Sequence, residues 1–146
     1  MTRRVETRPT LNFPETLMNT FDKIRYPAAR ASLGAIFFIL GLTKVFGFAG
    51  VAGWMASSGL PFAKLLLVLT IAIEVGGGLL LIIGRQTRWA ALALALFIVP
   101  VTLVFHAFWN ADAASFQDQL THFLKNLAIF GGLLLLLDRS RAPAKA

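Results

Sequence analysis

Four ionisable side chains, Lys44, Glu74, His106 and Lys125, stand within or near the ends of four long apolar stretches of this sequence. Each has a use where water is scarce. An ammonium donates hydrogen bonds or pairs with an anion, a carboxyl holds or passes a proton, and an imidazole does both. A charge at the centre of a hydrocarbon layer costs about 2.5–3.5 kcal/mol on insertion scales, so one such residue per stretch calls for a reason. A shared polar site supplies one. Glu74 and His106 are its candidates for proton transfer, and Lys44, His122, Lys125 and Asn126 its candidates for holding a ligand. His122, Lys125 and Asn126 follow i, i+3, i+4 spacing and share a helical face, which Gln119 extends.

Simpler readings compete residue by residue. Lys44 near a helix end can snorkel to the interface. His106 and His122, taken singly, are ordinary boundary residues. Glu74 lies too deep to snorkel and must be paired or neutralised. Trp54, Trp89 and Trp109 fit interfacial belts. The run Gly76-Gly77-Gly78 lacks the strand and lysine of a phosphate loop. No tight histidine spacing, no haem axial pair and no cysteine is present, so neither metal nor haem is expected.

The elements that position these groups follow from composition. The chain has 146 residues, 57% hydrophobic and 14% charged, against about 25% charged in soluble domains. Mean hydropathy is +0.71. These values predict an all-α, polytopic membrane protein. The net charge of +7 sits beside apolar segments and needs no nucleic acid to explain it. Four spans are expected, from about Ala28 to Phe48, Phe62 to Ile83, Trp89 to Trp109 and Leu120 to Leu137, each near the ~20 residues that cross a bilayer. Short connections make them an antiparallel four-helix bundle. Residues 1–27 form a cytoplasmic segment in which Leu17, Phe21 and Ile24 mark a short interfacial helix, 28–137 the transmembrane domain, and 138–146 a disordered cytoplasmic tail.

Basic residues set the orientation. Arg3, Arg4, Arg8, Lys23, Arg25, Arg30, Arg85, Arg88, Arg139, Arg141 and Lys145 fall on one side, and Lys64 alone falls in a loop on the other. The positive side stays cytoplasmic, so both termini are expected there. Lys44, Glu74, His106 and Lys125 then all lie in the outer half of the membrane. Gly41 beside Lys44, and Gly77 and Gly78 beside Glu74, allow helices to approach closely around a charge. Pro100 should kink the third span below His106.

The order of these elements resembles the DoxX family of small four-helix bacterial inner-membrane proteins. The matching stretches are RASLGAIFFILGLTKVFGF at 30–48, GWMASSGLP at 53–61, IEVGGGLLLIIGRQTRWAAL at 73–92, FHAFW at 105–109 and QLTHFLKNLAIFGGLLLL at 119–136. The resemblance implies an oxidoreductase of the inner membrane. Its relatives include the membrane subunit of a thiosulfate:quinone oxidoreductase, and the family's polar positions match Lys44, Glu74, His106, Lys125 and Asn126.

Two functions are therefore expected to compete. In the first the chain is a quinone-linked oxidoreductase subunit, with a quinone headgroup in the outer half of the bundle and a soluble or membrane redox partner supplying electrons. In the second it is a non-catalytic protein that binds lipid or another small amphiphile, or a scaffold. A transporter is disfavoured by the small number of spans and the lack of broken helices or repeats. Membrane lipid is the expected surrounding, and a homodimer through Gly34 and Gly41, or Gly131 and Gly132, is a further expectation.

Overall fold

The computed structural model describes the backbone of residues 15–139 and the side chains of residues 23–138. The expectations for residues 1–14 and 140–146, and for the side chains of Leu17 and Phe21, fall outside the described residues. Five α-helices follow one another: α1 (Glu15–Phe46), α2 (Phe48–Ser57), α3 (Ala63–Ile83), α4 (Thr87–Phe105) and α5 (Phe116–Arg139), with a 3-10 turn at Phe108–Asn110 before α5. Among the described residues, four segments are long and apolar enough to cross a membrane: Lys23–Phe46, Ala63–Ile83, Thr87–Asn110 and Phe116–Asp138. Among the described residues there are no strands.

The backbone is helical across the boundary expected between the cytoplasmic segment and the first span. One helix runs from Glu15 through Pro27 to Phe46. Proline removes one hydrogen bond from a helix but need not end it when the flanking turns are helix-forming.

Small residues set how α1 meets α3. A Cβ on Gly34 would lie 2.6 Å from the Gly78 carbonyl oxygen, and a Cβ on Gly78 would lie 2.6 Å from the Phe38 backbone nitrogen. A Cβ on Gly41 would meet Val75 at 2.7 Å. The two backbones touch, as small residues at a transmembrane crossing permit. Gly34 and Gly41, expected as one face for a homodimer, pack against α3 inside the bundle. Gly132 packs near Leu33, while Gly131 has nothing within 4 Å.

α3 stops in a left-handed turn at Gly84, φ 78°, where the amides of Gly84 and Arg85 both return to the Leu80 carbonyl. Arg30 of α1 lies over this turn and donates from Nη2 to the Ile82 carbonyl at 3.4 Å. A cation at a helix C-terminus is well placed against the dipole. Leu81, Leu94 and Leu133, all fully buried, join α3, α4 and α5 in the main core. Outward, Ile39, Leu65, Leu96 and Leu135 are more than half exposed, which suits a lipid-facing surface.

The short helix α2 was not anticipated. It leaves α1 through Gly47 and ends at Gly59, φ 82°, where Leu60 N–H returns to the Met55 carbonyl. It folds back onto the start of α3, burying Ala52 and Met55 against Ala63 and Leu67. It thereby caps the end of the bundle remote from the described termini.

Candidate functional site

Under α2 the four spanning helices line a partly open cavity of about 310 Å³. Its walls are mostly apolar, and its polar groups come from two opposing helix pairs.

On the α1–α3 side, Lys44 Nζ donates to Glu74 Oε2 at 2.7 Å and to Oε1 at 3.0 Å. Glu74 is only 6% exposed. The pairing has a simple origin. Lys44 sits in the last turn of α1 and Glu74 in the middle of α3, and the crossing at Gly41 brings the two within one side-chain length. The ammonium also lies 3.5 Å from the Leu40 carbonyl of its own helix.

On the α4–α5 side, Asn126 donates from Nδ2 to Thr102 Oγ1 at 2.9 Å, and Thr102 donates in turn to the Ile98 carbonyl at 2.6 Å. A buried hydroxyl that both accepts and donates is fully satisfied. His106 stands just past the end of α4, its amide bonded to the Thr102 carbonyl. The third span is not helical through to Trp109, although its apolar run predicts that. Instead it opens at His106 and resumes as the 3-10 turn, which turns the imidazole toward α5. His106 Nδ1 lies 3.1 Å from Gln119 Oε1, so the tautomer protonated at Nδ1 donates there. The His106 ring stacks on His122 with centroids 4.9 Å apart and planes within 14°. Behind it, His122 Nε2 is 3.6 Å from the exposed Asp118 carboxylate.

Five of the six candidate residues therefore line one cavity: Lys44, Glu74, His106, His122 and Asn126. Lys125 does not. It is exposed and absent from the lining. The inward face of α5 is centred on His122, Asn126 and Ile129, and Lys125 is turned about 100° round the helix from Asn126. A long cationic side chain at that position reaches for the interface.

Trp54, Met55 and Thr70 are among the lining residues not singled out as site residues beforehand. Trp54 of α2, read as a belt residue, lines the cavity and stacks on Phe105 at 4.7 Å. Met55 extends the same roof, and Thr70 adds a hydroxyl to the α3 wall. Thr102, the latch to Asn126, was also missed. A hydroxyl in the apolar centre of a span was the available signal for both threonines. Among the described residues, no three of His, Cys, Asp or Glu assemble as a metal-ligand set.

The arrangement can hold one polar ring in an apolar sleeve. An ion pair meets one side of it, and imidazoles and an amide meet the other. Its volume is near the lower end of the roughly 300–1,000 Å³ typical of small-molecule sites.

Comparison with known proteins gives a consistent picture. A family model described as DoxX matches residues 27–107. The chain is 31% identical to the inner membrane protein YphA of Escherichia coli (strain K12) over 108 residues, 74% of this chain and 77% of that one. It is 34% identical to the inner membrane protein YqjF of the same organism over 119 residues, 82% and 86% of the two chains. It is 32% identical to CatD of Bacillus subtilis (strain 168), provisionally named an oxidoreductase, over 123 residues, 83% and 90% of the two chains. No solved structure matches it significantly.

Proposed function

The chain belongs to the DoxX family and is a multi-pass inner-membrane protein, and from that premise we propose that it is a quinone-linked oxidoreductase subunit whose site is the cavity beneath α2. One observation carries the reading: an apolar cavity of about 310 Å³ with polar groups on opposing helix pairs. A quinone has two carbonyls on opposite sides of an apolar ring. Lys44 serves one of them, and Asn126 with the histidines serves the other. The oxidoreductase name of the Bacillus relative supports the same class of chemistry.

Reduction of a quinone to a quinol takes two electrons and two protons. The electrons come from a soluble or membrane redox partner. The protons pass through this chain's own groups. His106 sits between the cavity and Gln119, and stacks on His122, which reaches the exposed Asp118. Glu74, held by Lys44, is the second proton-handling group, and its pairing orients the ammonium toward the cavity. The excess of basic residues on the side of the termini supports a cavity in the outer half of the membrane.

The completeness of the Lys44–Glu74 pair favours one other reading. A satisfied intramembrane ion pair also serves to fix helix register, and the cavity would then hold a lipid or similar amphiphile without turnover. Glu74→Gln separates the two. The redox reading expects folded protein that binds quinone but has lost quinone-dependent turnover with its redox partner. Unchanged turnover, or wild-type protein that neither retains nor reduces quinone, contradicts it.

A further inference from the structure

The cavity is not sealed on the α3–α4 side. A second apolar groove of about 260 Å³ runs along the outer surface of these helices and shares Met55, Thr70, Phe97, Val101 and Phe105 with the cavity. We propose that this groove is the seat of the ligand's hydrocarbon tail, and that the ligand is a tailed amphiphile entering sideways from the bilayer between α3 and α4. The proposal rests on the reading of the cavity as a headgroup site.

Four features single out this seam. The groove is continuous with the cavity through five shared side chains, so a headgroup inside and a tail in the groove fit one molecule. Leu69 and Val104, which line the groove but not the cavity, are 51% and 55% exposed on the lipid-facing surface. Pro100 lines the groove, and its ring cannot complete the local helix hydrogen bond, which loosens α4 where the tail would pass. Among the described residues no side-chain hydrogen bond crosses from α3 to α4, whereas the competing α4–α5 groove abuts the cavity at Asn126 and is latched there by the bond to Thr102. The route from above is narrowed by Trp54 stacked on Phe105.

A tail gains little by leaving lipid for an equally apolar groove. The groove acts by accommodation: if it is filled, a tailed headgroup cannot seat in the cavity, while a bare headgroup still can. This separates the groove from simple partitioning, which is the same for every variant. The probes are a dimethoxybenzoquinone with a decyl tail and the same ring without one, measured by calorimetry on protein in phosphatidylcholine nanodiscs. Leu69→Trp and Val104→Trp fill the groove from lipid-facing positions. Leu79→Trp, at a lipid-facing position outside the groove, is the control. Each groove variant is expected to weaken the decyl compound by about tenfold or more and the tail-less ring by less than about twofold, with the control changing neither. Equal losses for both compounds, or none for either, overturn the tail seat and leave the headgroup site standing. Wild-type protein that binds neither compound overturns both.

Discussion

Removing Lys44 should strand a buried carboxylate, and the size of the effect follows from the pair's geometry. At 2.7–3.0 Å and an effective dielectric near 20, the direct attraction is about 5–6 kcal/mol. Desolvation of both partners offsets much of this. What remains visible is the cost of breaking the pair from one side, about 3–5 kcal/mol for buried pairs. The lysine side chain is 26% exposed, against 8% for the glutamate, so the lower end applies. Lys44→Met is therefore expected to destabilise the protein by about 3 kcal/mol. Glu74→Leu leaves a lysine near a helix end that can reach the interface, and should cost only about 1 kcal/mol. The double variant removes both charges together and should also lie within about 1 kcal/mol of wild type. The cycle then gives a coupling of about 3 kcal/mol. Equilibrium unfolding in mixed micelles, followed by circular dichroism, measures all four corners. If Lys44→Met costs no more than Glu74→Leu, or if the two losses simply add, the pair is not a coupled buried unit.

Two further outcomes test the scaffold. Gly78→Ala should force α1 and α3 apart, because its Cβ would stand 2.6 Å from Phe38 N and 2.7 Å from Gly34 O; a loss of about 1–3 kcal/mol is expected in the same unfolding assay. Gly131→Ala, with nothing within 4 Å, should be neutral or stabilise by up to about 1 kcal/mol. In the α4–α5 loop, Asp112 accepts from the Ser115 hydroxyl at 2.5 Å and its amide at 2.8 Å, and these bonds hold its carboxyl below the usual range. A depressed native value means that the loop's support is present above the ordinary aspartate value of about 4 and is lost as pH falls through the lower native one. Amide exchange at Ser115 and Phe116 should accelerate in Asp112→Ala at neutral pH, and the variant and wild type should converge once the carboxyl is protonated.

How much of this was legible beforehand depended on which physical signal each feature leaves. The four spans were, because about twenty apolar residues in a row have few other uses. So was the need for Glu74 to be paired or neutralised, although only the structure shows that Lys44 is its partner. Depth says nothing about rotation, so Lys125 was grouped with His122 and Asn126 although the helix turns it outward. The helix α2 is apolar but only ten residues long, too short to span, and its two glycines and the Ser57-Ser58-Gly59 run at its end read as a loop. Its Trp54 looked like any interfacial tryptophan until the fold laid it across Phe105. Thr102 hid for another reason: a lone threonine in a span usually bonds back to its own helix, as this one does, and only the structure shows Asn126 bonded to it as well.

Trp54 offers the most direct test of the central claim that the cavity is a binding site for a quinone ring. With Trp89→Phe and Trp109→Phe, it is the single tryptophan of the chain and lines the cavity roof. Titration with the tail-less benzoquinone should quench its fluorescence saturably, and the saturable part should vanish when Lys44→Met and Glu74→Leu are combined in the same background, a change expected to leave the fold intact. Quenching that never saturates, or that is the same with and without the ion pair, would contradict the account.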